Sequence, residues 1–294
     1  MGKIIGTGFQ VPIRVVLNRE ITHSDKWVED NLGIKERRRG NDWMGTLFLG
    51  LNAGMYALQT SGRKAKDIDM LIVATSTPEK IAPSTACLIQ KELGLNNAVA
   101  FDINAVCSGF LFALSIAEQY LSIYKNIMII GVDMFSSITD YTDRNCVFFG
   151  DGAGAVVLTR GSNLKSIVIK STPQNDGFSC KQGSTFIMNG KEVYKNAIKL
   201  LPNVINEALG DIKIDEIDYM IPHQPSKKIL LDVGKLIGIK EEKVLMNMDK
   251  YANTSAATIP ILLAESWDKF KTGDKLLMAA IGSGWTFAAA VYEV

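Results

Sequence analysis

Phe101-Asp102-Ile103-Asn104-Ala105-Val106-Cys107-Ser108-Gly109-Phe110 runs a short strand-forming segment straight into a long apolar helix and leaves a thiol at the joint. Periodicity predicts a strand over residues 98–103 and a helix over 107–122, with Phe110, Leu111, Leu114, Ala117, Tyr120 and Leu121 at core spacing. Cys107 then sits in the first helical turn. There, free N–H groups and the positive end of the helix dipole favour a thiolate, the form that attacks thioesters and other acyl groups. A lone cysteine reads first as a small buried hydrophobe, so other stretches must decide.

Outward from this joint, strands and helices alternate, and their order returns near half the length. Asp67-Ile68-Asp69-Met70-Leu71-Ile72 recurs as Glu216-Ile217-Asp218-Tyr219-Met220-Ile221. Each copy leads through a loop and an amphipathic helix to an apolar-Gly-apolar stop, Leu93-Gly94-Leu95 and Ile237-Gly238-Ile239. Cys107-Ser108 to Ala117-Glu118 is echoed by Thr254-Ser255 to Ala264-Glu265, and the closing strand Ala155-Val156-Val157-Leu158 by Ala290-Val291-Tyr292. Matches in the same order imply a duplicated α/β unit, with halves at residues 1–160 and 161–294. Packed about a pseudo-twofold axis, the halves would turn equivalent helix starts toward each other, bringing Cys107 and Asn253 into one pocket. Gly161 to Gly190, rich in Ser, Thr, Gly, Asn and Lys, reads as a strand followed by an excursion loop.

Two more stretches stand at strand exits: Ile221-Pro222-His223-Gln224-Pro225-Ser226 and Tyr251-Ala252-Asn253-Thr254-Ser255-Ala256-Ala257. With Ala105-Val106-Cys107-Ser108-Gly109-Phe110, they make the chain resemble the ketoacyl-acyl carrier protein synthase III family of the thiolase superfamily from Lys3-Ile4-Ile5-Gly6-Thr7-Gly8 to the last strand. The resemblance implies a five-layered αβαβα thiolase-like fold and a Cys107, His223, Asn253 catalytic set. In that chemistry the cysteine takes an acyl primer from a thioester. A malonyl-thioester, on acyl carrier protein, then loses CO2 and attacks to give a 3-oxoacyl-thioester, as in the initiation of fatty acid synthesis. Decarboxylation builds charge on a thioester oxygen, and neutral donors such as an imidazole N–H and an amide NH2 suit it. For the acyl-transfer step the family pairs the cysteine N–H with a glycine loop, here Gly282-Ser283-Gly284, where Ser283 replaces a usual glycine. Residue counts agree with the Cys-His-Asn branch. Only His23 and His223 are present, too few for the two C-terminal histidines of elongating synthases, and no cysteine follows Cys180 as thiolases require.

The resemblance also assigns substrate positions. Trp27 matches a tryptophan that stacks on the adenine of coenzyme A, but Asn31 replaces its partner arginine, and an asparagine cannot supply the planar cation contact. Arg144 matches a second nucleotide-contacting arginine, and Phe149 is a further substrate-binding candidate. Ser226 replaces a pantetheine-contacting asparagine beside Pro225, and Ala82 stands where many relatives carry a phenylalanine lent to the partner subunit's pocket. These departures imply altered coenzyme A binding, a donor carried on coenzyme A or a carrier protein, and a primer longer or bulkier than acetyl. Lys195, Lys228 and Lys235 match a basic docking patch for the acidic carrier protein. The resemblance further implies a homodimer and no cofactor beyond these thioester substrates. Alternatives are a specialised synthase of secondary metabolism or cofactor synthesis, an acyltransferase without decarboxylation, and a noncatalytic partner subunit, against which Cys107 speaks.

Bulk properties bound the rest. With 294 residues, 47% hydrophobic and 21% charged, the chain can bury a large core, and a formal charge of +1 argues against a general nucleic-acid or anionic-membrane surface. There is no transmembrane-like run and no charged-then-apolar leader before the first strand, so a cytoplasmic location is expected. Cys87, Cys107, Cys146 and Cys180 show no paired metal or redox spacing, and no metal site is expected. Gly150-Asp151-Gly152-Ala153-Gly154 lacks G-x-G-x-x-G spacing and a P-loop lysine, so it reads as backbone crowding rather than a nucleotide loop. His23 reads as a surface or capping residue beside the N-cap candidates Ser24 and Asp25, and Lys35-Glu36-Arg37-Arg38-Arg39 as a solvated face.

Overall fold

A computed structural model describes residues 1–41, 43–173 and 177–294. Nine strands build two sheets whose members separate along the chain. The first sheet holds β1 (Gly2–Gln10), β2 (Met70–Ala74), β3 (Val99–Ile103), β4 (Asn126–Met134) and β5 (Asp151–Arg160), in the order β1-β5-β4-β2-β3. The second holds β6 (Leu164–Ser171), β7 (Tyr219–Pro222), β8 (Lys275–Gly282) and β9 (Thr286–Glu293), in the order β6-β9-β8-β7.

The two orders are the same, strand for strand. In each sheet the first three members pair antiparallel and the next joins in parallel. Where the first sheet ends in the parallel strand β3, the second has a single parallel bridge from Met220 to Val244. The helices repeat as well: α1 (Thr46–Ser61), α2 (Thr85–Leu93) and α3 (Gly109–Tyr120) correspond to α4 (Gly190–Leu209), α5 (Lys227–Ile237) and α6 (Thr258–Ser266). Parallel pairs need crossovers, and helices are the elements that supply them.

Alternation along the strands sorts side chains into layers. Leu71 and Val73 of β2 face α1 and α2, joining Leu49, Ala53 and Ile89, while Met70, Ile72 and Ala74 turn to the opposite side. On β8, Leu276, Met278 and Ala280 meet that same middle core, whereas Leu277, Ala279 and Ile281 pack under α4 and α5. Between the sheets lie α3 and α6, through Phe110, Leu114, Ile259 and Leu263. The result is five layers, αβαβα, with apolar side chains on both faces of each sheet.

Structure refines the internal repeat. A single 3-10 turn precedes each middle helix, Val106–Ser108 before α3 and Ser255–Ala257 before α6. Each turn is held by an asparagine two residues before it: Asn104 Oδ1 accepts from the Val106 N–H at 3.1 Å, and Asn253 Oδ1 from the Ser255 N–H at 2.8 Å. Cys107 is therefore equivalent to Ala256, not to Thr254 as the sequence echo suggests. The apolar helix pattern alone could not resolve a two-residue slip, but the asparagine anchors do.

The Lys35–Arg39 run is not a solvated face. Arg37 is buried, donating to Asn18 Oδ1 at 2.8 Å and to the Val147 and Val16 carbonyls at 2.9 and 3.3 Å, and burial lowers its pKa to about 10. Arg39 lies 4.2 Å from the Tyr141 ring centroid. Short-range charge density suggested solvent, but long-range carbonyl acceptors decide the burial.

At Gly131 of β4 the halves touch through backbone: a Cβ there would stand 2.2 Å from the Ala256 carbonyl oxygen. Gly131→Ala must push the two halves apart, so a loss of about 1–3 kcal/mol is expected from urea unfolding, with Ala155→Gly in the neighbouring strand as a comparison that opens space instead.

Candidate active site

Three loops meet at one cavity of about 1060 Å3, lined among others by Cys107, His223, Asn253, Gly282 and Ser283. Each arrives by a different route. Cys107 follows β3 in the Val106–Ser108 turn, which Thr286 clamps: its Oγ1 donates to the Ala105 carbonyl and its carbonyl accepts from Ser108 Oγ, both at 2.9 Å. His223 continues β7, its N–H donating to the Ala279 carbonyl at 2.8 Å. Asn253 belongs to the second half but is stitched to the first. Its N–H donates to the Phe148 carbonyl at 3.1 Å and its carbonyl accepts from the Gly150 N–H at 3.0 Å.

His223 Nε2 lies 3.0 Å from Asn253 Oδ1. Because that oxygen also accepts the Ser255 N–H, the amide orientation is set, and the imidazole must be the donor at Nε2. Burial holds His223 down to about 4, with the Asn253 bond acting weakly the other way, so the ring is neutral near pH 7. Its Nδ1 is buried with no partner among the described residues. Residue 225 is proline and offers no N–H.

Cys107 differs from the sequence expectation. Burial pushes its thiol up to about 12; Ser255 and Asn253 act against this, and the Asp133 charge adds to it. The helix start does not overcome desolvation, so the resting group is a thiol rather than a thiolate.

Gly282 stands so close to the Cys107 turn that a Cβ would lie 3.0 Å from the Cys107 nitrogen and 2.8 Å from the Ala105 carbonyl oxygen. Gly284 has φ 124, a conformation that side chains avoid, and it is exposed outside the cavity wall. Ser283, where a glycine is usual by resemblance, donates its Oγ to the Phe178 carbonyl at 2.7 Å. That bond ties the loop to the excursion after β6, which forms a small hairpin of Phe178–Ser179 with Ile187–Met188. Phe178 and Phe186 from this excursion close over Phe135 and Phe149, and Phe135 stacks on Phe149 at 4.3 Å. Sequence reading named only Phe149 of these four, because the others come from segments without a motif.

Remaining candidates fall at the rim or beyond. Trp27 is half exposed and lines the mouth with Asn31, whose Nδ2 donates to the Trp27 carbonyl at 2.9 Å. Arg144 is exposed at the same rim, and Ser226 caps α5 by accepting the Ile229 N–H at 3.3 Å. Ala82 is exposed and is not part of its own chain's cavity wall. Lys228 reaches the rim while pairing with Asp232 at 2.8 Å; Lys195 and Lys235 are exposed on α4 and α5. His23 is exposed next to Ser24, whose side chain makes no cap hydrogen bond.

Two further groups support the site: Gln224, which the sequence places in the His223 stretch, and Asp133, which sequence reading missed. Gln224, fully buried, donates to the Leu245 carbonyl at 3.1 Å and accepts the Asn247 N–H at 3.2 Å, fixing the strand of His223 to the segment leading to Asn253. Asp133, at the end of β4, has no motif around it. Backbone strain marks the same place: the left-handed non-glycine residues among those described are Val106, Ala252 and Ser255, all beside Cys107 or Asn253.

Lowered to about 4 from 6.5, the His223 pKa contributes stability that is full above pH 6.5 and is lost as pH falls toward 4. Titrating unfolding free energy should show about 3 kcal/mol less acid sensitivity in His223→Gln than in the native chain across that window. Ala252 holds φ 56 and ψ −152, a region left to glycine, so Ala252→Gly is expected to raise the unfolding free energy by about 1 kcal/mol.

Known proteins resemble this chain along its whole length. Family models described as 3-oxoacyl-[acyl-carrier-protein] synthase III and as its C-terminal part match residues 101–177 and 208–294. The beta-ketoacyl-[acyl-carrier-protein] synthase III of Clostridium perfringens is 40% identical over 99% of this chain and 99% of its own, and that of Clostridium acetobutylicum 37% identical over 99% and 98%. The crystal structure of 3-oxoacyl-[acyl-carrier-protein] synthase III from Aquifex aeolicus superposes with a TM-score of 0.97 at 36% identity, covering 100% of both chains. With relatives this similar along its whole length, the chain belongs to the 3-oxoacyl-[acyl-carrier-protein] synthase III family of condensing acyltransferases.

Proposed function

We propose that this protein loads an acyl primer from a thioester onto Cys107 and condenses it with malonyl-acyl carrier protein, releasing CO2 and giving a 3-oxoacyl-thioester, the initiating step of fatty acid synthesis. The observation that carries the reading is the meeting of a first-half thiol with a second-half imidazole and carboxamide on one apolar-floored cavity.

In the loading step, Cys107 Sγ attacks the primer carbonyl, and the N–H groups beside Gly282 are the donors for its developing oxyanion. In the condensing step, His223 Nε2–H turns from Asn253 Oδ1 to the malonyl thioester oxygen, and Asn253 Nδ2, which faces Cys107 because Oδ1 is taken by His223 and the Ser255 N–H, donates alongside. A neutral ring suits this role, since it donates without having to lose a proton and its low pKa keeps it neutral throughout the working range. No metal or resident cofactor takes part in this scheme, in which coenzyme A and carrier-protein thioesters are substrates.

Trp27 and Arg144 at the rim would receive the nucleotide end of a coenzyme A donor, with Asn31 making that grip weak, and Ser226 would lie along the pantetheine arm. The exposed Lys195, Lys228 and Lys235 would meet the acidic carrier protein. Phe149 lines the primer end, and Ala82, exposed on its own chain, would leave room at the partner's pocket in a homodimer, admitting primers bulkier than acetyl. The intracellular setting follows from these substrates. No helix among the described residues is long and apolar enough to cross a membrane.

Incubation with acetyl, branched and medium-chain thioesters of coenzyme A and of carrier protein, followed by intact-mass analysis, tests the scheme. The expected result is one acyl adduct on Cys107, absent in Cys107→Ser and largest for the bulkier primers. His223→Ala and Asn253→Ala should still acquire the adduct while CO2 release falls about 100-fold or more. An adduct elsewhere, or full condensation without Cys107, would refute it.

A further inference from the structure

Asp133 is a fully buried carboxyl for which the condensation scheme has no use. Its Oδ1 accepts the Ser76 and Thr77 N–H groups at 2.7 and 3.2 Å and the hydroxyls of Ser76, Thr77 and Thr75 at 2.9, 3.1 and 3.3 Å. Its Oδ2 accepts the Ala256 N–H at 3.2 Å, so that oxygen faces the turn that opens with Ser255 and retains room for another donor.

Ser255 is the group beside it. Its Oγ is buried and completes no hydrogen bond among the described residues, yet its turn packs against both the Val106–Ser108 turn that carries Cys107 and the end of β4 that carries Asp133, and it lowers the pKa of both groups. Neither the turn nor its left-handed backbone demands a hydroxyl, because the twofold-equivalent position in the first half is Val106, with φ 49 against 52. A buried hydroxyl without a partner is destabilising unless a neighbour takes up the bond.

We propose that Ser255 links Cys107 to Asp133 as a proton path for acyl loading. This rests on the reading of Cys107 as the acyl acceptor. As a thioester binds, the thiol passes its proton to Ser255 Oγ while Ser255 passes its own to Asp133 Oδ2. The electron pair of the broken S–H bond stays on sulfur and forms the S–C bond to the acyl carbon. When the C–S bond to the leaving thiol breaks, that sulfur keeps the bonding pair and recovers the proton by the reverse route, so Asp133 returns to its carboxylate.

Charge conservation favours this route over simple ionisation. Burial raises the pKa of Asp133 as well as that of Cys107, and the Asp133 charge itself opposes a thiolate. Moving one proton between them keeps a single negative charge in the dry site and removes the repulsion. The groups that face the pair are the Thr75–Thr77 hydroxyls and N–H groups, the Ala256 N–H, the Asn253 amide and the neutral His223, which shares the cavity with Cys107.

Ser255→Gly tests the path without endangering the fold, since glycine accepts φ 52 more readily than serine. Single-turnover formation of the Cys107 acyl adduct is expected to slow about 100-fold or more, with an unchanged or raised unfolding midpoint. Iodoacetamide alkylation of Cys107 in the native chain should show a low neutral-pH plateau followed by a rise at high pH, because a minor form with the proton on Asp133 exists beside the predominant resting thiol. Ser255→Gly should show the high-pH rise alone, and Asp133→Asn should lose the plateau in the same way. Loading at the native rate in Ser255→Gly, or a plateau surviving in either variant, would overturn the proton path. Absence of any Cys107 adduct in the native chain would instead overturn the acyl-acceptor reading beneath it.

Discussion

Gly131 and the Ala256 carbonyl lie so close that the backbone of β4 rests on the turn that opens α6, and this contact sets how nearly the two halves approach beside the cavity. The first half contributes the thiol, and the second contributes the imidazole and the carboxamide. Side chains between the halves would separate these groups by the width of a residue. Instead, at the two turns beside the cavity the halves meet through glycine, alanine and backbone hydrogen bonds, among them the pair that stitches Asn253 to Phe148 and Gly150, while large side chains of α3 and α6 fill the middle layer beyond. The strained residues Val106, Ala252 and Ser255 are the local consequence of forcing two helix starts together.

Within that frame the electrostatics follow from exclusion of water. A dry cavity disfavours charge, so the thiol stays protonated and the imidazole neutral at rest. Both departures from ordinary behaviour have one cause, and both fit the proposed reaction, whose charge appears only transiently on a thioester oxygen. Donors that carry no net charge can stabilise that oxygen without binding the ground state too firmly. The buried carboxylate Asp133 is the exception. It is tolerated because five donors surround one of its oxygens and a backbone N–H meets the other.

Much of this was legible in the sequence. Period-two and helical patterns around residues 98–122 located the thiol at a strand-to-helix joint, and the recurrence of Asp67–Ile72 as Glu216–Ile221 gave the duplicated layers. Cys107, His223 and Asn253 were nameable because each sits in a short stretch of distinctive residues. What escaped was decided by contacts distant along the chain. Apolar helix periodicity tolerates a two-residue slip, which hid the equivalence of Cys107 with Ala256. Arg37 reads as solvated until the Val147 carbonyl, far along the chain, reaches it. A helix dipole can be predicted from sequence; the desolvation that outweighs it at Cys107 depends on the opposite half. Phe135 and Phe178 line the cavity beside Phe149, with Phe186 packed against them, only through the fold of the excursion after β6.

The most direct measurement is a crystal structure of the protein soaked with a malonyl-thioester analogue that cannot lose CO2. The account predicts its thioester oxygen at about 3 Å from both His223 Nε2 and Asn253 Nδ2, with its reactive carbon facing Cys107 Sγ. An analogue held by other groups, with His223 still bonded only to Asn253 and Cys107 out of reach, would contradict it.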